Sequence, residues 1–151
     1  MEIERKFLVD QELWKQIDKG TGKHIQQGYF TSNEHFNVRV RTKGERAFLT
    51  VKGTREGISR DEFEYEIPYT DADFMLRHYT QPFLEKTRYE VVIAGKTWEI
   101  DEFHGKLSPL ILAEIELESE TEPIELPSWV TQEVSTDPDY FNSNIIKRLF
   151  D

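Results

Sequence analysis

The feature that most limits how this chain can fold is a pairing of like charges two residues apart, repeated in segments that otherwise alternate. Glu2/Glu4, Arg39/Arg41, Glu62/Glu64, Lys86/Arg88, Glu99/Asp101 and Glu114/Glu116 each put one sign of charge at i and i+2. In a strand those positions share a face. Like charges side by side on a sheet destabilise it, by roughly a few tenths of a kcal/mol or more per pair. Any one of these segments, taken alone, fits a sheet with one wet face. Wet faces, however, usually mix Thr, Ser, Gln and both signs of charge. A whole set of same-sign pairs persists where something else neutralises them: divalent cations for the carboxylates and a polyanion for the arginines and lysines.

Period-two alternation assigns strands to residues 2–8, 25–31, 36–42, 46–53, 60–68, 83–93, 97–103 and 110–118. The charged positions oppose apolar ones, as in Val38 and Val40 against the arginines or Phe63, Tyr65 and Ile67 against the glutamates. Lys43-Gly44-Glu45 and Ala94-Gly95-Lys96 read as hairpin turns, glycine tolerating positive φ. Helices are expected over 11–19 and over 71–79. The second would be capped by Thr70, with Asp71 and Asp73 at its positive end and Phe74, Met75 and His78 on one side. Two short helices are expected at 127–134 and 142–150. The fold class is α+β, mainly antiparallel β. About eight strands, each with a charged and an apolar face, close into a barrel with a charged lumen, and the helices cover its apolar outside. Closure also removes exposed strand edges. No repeat or linker divides residues 1–151, which read as one domain.

Composition narrows the function. There is no cysteine, hence no disulfide framework, Cys-based zinc site or thiol nucleophile. The N-terminus is charged from its second residue, unlike a signal peptide. No apolar run approaches the ~18 residues that span a membrane. The expected location is the cytoplasm, with no membrane partner. A net charge of −10 repels phosphate backbones, so nucleic acid is not expected either. A small polyphosphate meets the same repulsion unless the basic residues are concentrated locally and metal cations assist. His24, His35, His78 and His104 form no HxH or HxxxH pair, and neither a GxSxG elbow nor a GxxxxGK[ST] loop occurs.

The N-terminal Glu2-x-Glu4-x-Lys6, then Arg39-x-Arg41, Thr50-x-Lys52, Lys86-x-Arg88 and Glu114-x-Glu116 resemble, in order and over nearly the whole chain, the CYTH family of triphosphate tunnel metalloenzymes. That resemblance implies an eight-stranded antiparallel tunnel and metal-dependent triphosphate chemistry with two Mg²⁺ or Mn²⁺ ions. It implies carboxylate ligands at Glu2, Glu4, Asp101, Glu114 and Glu116, with Glu62 and Glu64 adding to them; hard oxygen donors suit both ions. Lys6, Arg39, Arg41, Lys52, Lys86 and Arg88 become the phosphate clamp, arginine's planar fork matching phosphate oxygens. Lys6 and Tyr29 are the catalytic pair it suggests, Lys6 as base and Tyr29 orienting the water. For each residue the plain alternative is an exposed acid, a surface ion pair or, for Tyr29, packing. Glu66 and Glu118 are left as rim or surface residues.

The activity expected is hydrolysis of inorganic triphosphate to pyrophosphate and phosphate, because a short chain leaves little to recognise a base or a thiazole. The alternatives are a hydrolase or cyclase acting on an organic triphosphate such as thiamine triphosphate or ATP, and a non-catalytic polyphosphate- or nucleotide-binding module. A lipocalin-like carrier would need an apolar lumen. The sequence allows a homodimer without specifying one, and it leaves open whether the C-terminal helix, with Tyr140, Asn142 and Lys147, plugs one end of the tunnel.

Overall fold

A computed structural model describes residues 1–150. Its strands are β1 (Glu2–Val9), β2 (Lys23–Ser32), β3 (Asn37–Lys43), β4 (Arg46–Lys52), β5 (Ser59–Arg60), β6 (Glu62–Ile67), β7 (Leu84–Ile93), β8 (Lys96–Phe103), β9 (Ile111–Glu116) and β10 (Val130–Glu133). Helices α1 (Gln11–Lys15), α2 (Tyr69–His78) and α3 (Asn142–Ile145) are joined by 3₁₀ turns at Gly105–Leu107, Pro138–Tyr140 and Ile146–Phe150. The sheet runs β10-β1-β9-β8-β7-β2-β3-β4-β6, and its pairings are antiparallel. No helix among the described residues is long and apolar enough to cross a membrane.

Two expectations about the sheet are corrected. It has ten strands rather than eight, and it is not hydrogen-bonded into a closed barrel. The two ends approach each other through β5, which pairs with β1 at Glu2↔Arg60 and Ile3↔Ser59 and runs through Asp61 into β6. Side chains reinforce that approach, since Lys52 Nζ lies 3.1 Å from Glu2 and 3.3 Å from Glu62. The extra strands are β5 and β10, short pieces that pair with opposite ends of β1 along its edge away from β9.

Residues 127–134 are the clearest misreading. They contain β10, not a helix, and pair with β1 at Phe7↔Glu133 and Val9↔Val130 across an irregularity in register. The side chain of Arg5 grips Glu133 through two hydrogen bonds of 2.9 and 2.6 Å, so tertiary partners override a weak local pattern. Helix α1 also stops earlier than expected. Lys19 Nζ donates to the carbonyls of Trp14 and Ile17, satisfying acceptors at its C-terminal end. Helix α2 begins at Tyr69 after Pro68, with no side-chain cap, and buries Ala72 and Leu76 while Phe74 and His78 stack outside. The hairpin turns are as expected. Gly44 has φ 59°, and Ala94 and Gly95 have φ 52° and 77°, conformations that match the strands' twist.

Apolar residues pack in three places. On the outer face of β1, β8 and β9, Phe7, Trp98, Ile100, Ala113 and Ile115 are covered by Trp14 of α1 and by Trp129. On the outer face of β3 and β4, Val40 and Ala47 lie under Ala72 and Leu76 of α2. The third cluster is inside. Leu84, Phe103 and Leu112 share the parity of Lys86, Asp101 and Glu114, so the inner face changes along the strands from charged to apolar. Ile145 and Ile146 of the C-terminal segment pack onto that apolar end, along with Val134.

Candidate functional site

The charged inner faces meet around one cavity of about 210 Å³. Glu2, Glu4 and Lys6 reach it from β1, Tyr29 from β2, Arg39 and Arg41 from β3, and Lys52 from β4. Glu62 and Glu64 come from β6, Lys86 and Arg88 from β7, and Glu114 and Glu116 from β9. Nine lysine and arginine side chains and seven glutamates line this space in a chain of net charge −10. The concentration of basic residues that a polyanion requires is therefore present locally.

Register explains how like charges come to face one another. Glu4 pairs with Glu116 and Lys6 with Glu114 across β1–β9, and Glu99 pairs with Glu114 across β8–β9. These strands form an acidic wall. The arginines of β3, with Lys86 and Arg88 of β7, form the basic side. Glu4 and Glu116 oppose each other directly, and among the described residues no hydrogen bond or ion pair reaches either carboxylate. Burial, then the charges of Glu114 and Glu2, push Glu4 up to about 8. Glu116 and Glu2 are also raised, mainly by burial. Glu114 moves the other way: Lys6, Arg88 and Lys86 outweigh its burial and hold it well below the usual carboxylate range.

Asp101 points inward, as its parity requires, but it lies beneath the cavity rather than on it. Both its oxygens are taken by Arg88, at 2.7 and 2.8 Å, and Lys86 Nζ is 2.8 Å away. Against the effect of burial, these cations hold its carboxyl down to about 2. Its geometry is that of a counter-ion fixing two clamp residues, not of an open ligand. Glu62 and Glu64 are also engaged, Glu62 with Lys52 and Glu64 with Thr50, Arg39 and Arg41.

Lys6 and Tyr29 line the same cavity without bonding each other. Lys6 Nζ donates to the Tyr140 carbonyl at 2.9 Å and lies 3.5 Å from Glu114. The Tyr29 hydroxyl accepts from Gln27 Nε2 at 2.8 Å, which leaves its own proton free to donate. The strongly perturbed lysine is Lys86, pushed down to about 8 by burial and by Arg88 although Asp101 opposes the shift. Arg41, between Arg39 and Arg88, is lowered by burial and by those charges to about 10.

Several lining residues escaped the sequence reading. Arg55 and Arg60 flank the turn before β6, Lys43 ends β3, and Phe141 and Ser143 come from the C-terminal segment, beside the Asn142 already named as a candidate plug. The parity of 39, 41 and 43 and of 60, 62 and 64 was a usable signal for Lys43 and Arg60. Nothing in the sequence pattern marks Arg55. It reaches the site through the fold, its guanidinium 4.1 Å from the Phe141 ring. Asn142 accepts from Lys86 Nζ at 3.0 Å, so the C-terminal segment holds two of the cavity lysines, Lys6 and Lys86.

Known proteins are similar to this chain in sequence and fold. The model of the CYTH domain matches residues 1–150. An inorganic triphosphatase of Acetivibrio thermocellus is 44% identical over 150 residues, covering 99% of this chain and 95% of the relative. One of Nitrosomonas europaea is 36% identical over 149 residues, covering 93% of each. A solved inorganic triphosphatase superposes with a TM-score of 0.67 at 32% identity, covering 96% of this chain and 93% of that one.

Proposed function

The chain belongs to the CYTH domain family, and from that premise we propose that it hydrolyses inorganic triphosphate to pyrophosphate and phosphate with the help of a divalent cation. The observation that carries this reading is the confrontation of an acidic wall and a basic wall across one small cavity. Its 210 Å³ falls below the roughly 300–1,000 Å³ of pockets that take drug-sized ligands. A short inorganic chain suits that space better than a nucleotide or a thiamine ester. The same reading takes the enclosure to be a functional tunnel, in which β5 and Lys52 bridge β6 to β1.

The donor set fits the cation. Glu2, Glu4, Glu114 and Glu116 offer hard oxygen atoms, and the unpartnered, mutually opposed Glu4 and Glu116 are what a bound cation would relieve. Magnesium or manganese, as two ions, matches this chemistry, with Glu62 and Glu64 as outer contributors. When bound, a divalent ion offsets charge on phosphate oxygens and makes a coordinated water more acidic.

The rest falls to the chain's own side chains. Arg39, Arg41, Arg55 and Arg60 each carry a buried Nε–H with no acceptor in the free protein. Phosphate oxygens would fill those vacancies, each charge-assisted bond contributing about 1.5–3 kcal/mol. Lys6, Lys52, Lys86 and Arg88 add point charges, with Lys86 and Arg88 fixed from behind by Asp101. The water oxygen bonds to a terminal phosphorus, the bridging P–O bond breaks, and pyrophosphate leaves, the proton released by the water being taken up by the phosphate products. The Tyr29 hydroxyl, anchored by Gln27, is suited to orient that water. Lys6, already donating to the Tyr140 carbonyl and ion-paired with Glu114, serves this reading as a phosphate ligand more readily than as a base.

The test is phosphate release from tripolyphosphate, ATP and thiamine triphosphate, each with Mg²⁺, Mn²⁺ or chelator, for the wild type, Glu4→Gln and Arg41→Ala. Metal-dependent release from tripolyphosphate above the other two, lost in both variants, is expected. Tight triphosphate binding without release, surviving Glu4→Gln, would instead make this a binding module.

A further inference from the structure

On the opposite side of the β2–β7 wall from the cavity, three adjacent strands bring together the makings of a different site. Lys86 and Arg88 point inward, so Glu85 and Thr87 point out. His24 on β2 is paired with Thr87 on β7, and His104, just past β8, donates its backbone N–H to the Glu85 carbonyl at 3.0 Å. The side chains converge. His24 Nε2 lies 2.9 Å from Glu85 Oε2, and the rings of His24 and His104 are parallel to within 8° with centroids 5.9 Å apart. The Thr87 hydroxyl is 2.7 Å from His104 Nε2. One candidate ligand atom from each of His24, Glu85 and His104 lies within 4.8 Å of the other two.

We propose that His24, Glu85 and His104 form a second metal site, on the outside of the sheet, that takes a zinc-class transition ion. A surface His24–Glu85 ion pair accounts for one of these contacts and is worth little in water. It does not account for a second imidazole held parallel beside the first. Two imidazole nitrogens and one carboxylate oxygen, with room for water, are a donor set that suits Zn²⁺. The cavity's carboxylates suit magnesium, and imidazole shifts preference towards zinc, copper and nickel. Zinc–ligand bonds of about 2.0–2.2 Å require donors closer together than 4.8 Å. The two exposed histidines and the half-buried Glu85 can make that contraction by side-chain rotation. Thr87 supports His104 as a hydrogen-bond partner of the kind that orients metal-binding imidazoles. Such an ion would tie β2, β7 and β8 together at the end of the sheet near the Gly105–Leu107 turn.

The site is separable from the cavity, whose lining contains no histidine. Zn²⁺ affinity would be measured on the full chain by competition with a chromophoric chelator, with excess Mg²⁺ present to occupy oxygen sites. One zinc per chain is expected in the wild type. Affinity should fall by at least about tenfold in His24→Gln, in His104→Gln and in Glu85→Gln. His78→Gln should bind as the wild type does, and none of these variants should change magnesium-supported hydrolysis. Electron paramagnetic resonance with Cu²⁺ as probe should show two coupled imidazole nitrogens in the wild type and one in each single histidine variant. Zinc binding that is undiminished in His24→Gln and His104→Gln, or no zinc retained against Mg²⁺, overturns the assignment.

Discussion

In the metal-free protein, Glu4→Gln should stabilise the fold, by an amount that grows with pH. In the unfolded chain Glu4 loses its proton near 4.5, the ordinary glutamate value, whereas in the fold it does so at about 8. Between those values the folded state holds a proton that the unfolded state has released. Stability therefore falls as pH rises through that window, and the loss is complete above the folded value. At 1.36 kcal/mol per tenfold change in proton affinity the full effect is roughly 5 kcal/mol. Water in the cavity and adjustment of Glu2 and Glu114 reduce it, so about 2–3 kcal/mol is the working figure. Glutamine keeps the shape and cannot ionise. Its melting temperature in chelator should match the wild type near pH 4.5 and exceed it by about 4–12 °C at pH 8.5, at ~2–4 °C per kcal/mol for a chain of this size. Excess Mg²⁺ should then raise the wild type and leave the variant nearly unmoved. A wild-type-minus-variant difference that stays flat from pH 4.5 to 8.5 in chelator would show that Glu4 is not a strained carboxylate, and the metal assignment would lose its main support.

Other outcomes follow from the same geometry. Arg41→Ala should lower kcat/KM for tripolyphosphate by about 10–150-fold, the worth of one charge-assisted bond, with no loss of urea stability because two neighbouring guanidiniums are relieved; activity within twofold of wild type would remove Arg41 from the clamp. Asp101→Asn leaves Lys86 and Arg88 buried without their counter-ion, and should cost about 3–5 kcal/mol in urea denaturation at pH 7. Because Asp101 sits at about 2 in the fold, below the ordinary aspartate value of 3.8, its contribution is present above 3.8 and lost as pH falls towards 2, so the difference between variant and wild type should shrink over that range. Tyr29→Phe should reduce kcat by roughly tenfold or more while calorimetric Mg²⁺ binding stays intact, whereas unchanged turnover would return Tyr29 to a packing role. Ile145→Ala should destabilise the fold by about 2–5 kcal/mol and lower activity as well, since the segment that packs through Ile145 also holds Lys6 and Lys86.

The inner wall could be read from the sequence because it obeys a rule of period two that water alone does not explain. Arg39/Arg41, Lys86/Arg88 and Glu114/Glu116 needed only their parity to be placed on one surface. Parity alone could not reveal depth. Asp101 shares the face of Glu99, yet Arg88 and Lys86 close over it, a contact set by the β7–β8 register rather than by its own neighbours in sequence. Short pieces were hidden for another reason. Strand β10 has four residues and β5 two, too few to show alternation, and both exist because β1 offers them a partner. Arg55 was invisible for the same cause, being brought to the site by a turn and a distant phenylalanine.

The inner apolar cluster has a consequence for traffic. With Leu84, Phe103 and Leu112 covered by Ile145 and Ile146, and with Phe141, Asn142 and Ser143 lining the charged side, the C-terminal segment packs across one end of the passage. A long phosphate polymer reaching that apolar end would meet apolar rather than basic side chains there, so cleavage would be confined to its terminal phosphates. The two products of a short substrate would have to depart one after the other, the outer before the inner. The fragment held deepest, beside Lys6 and Lys86, would set the pace of each cycle.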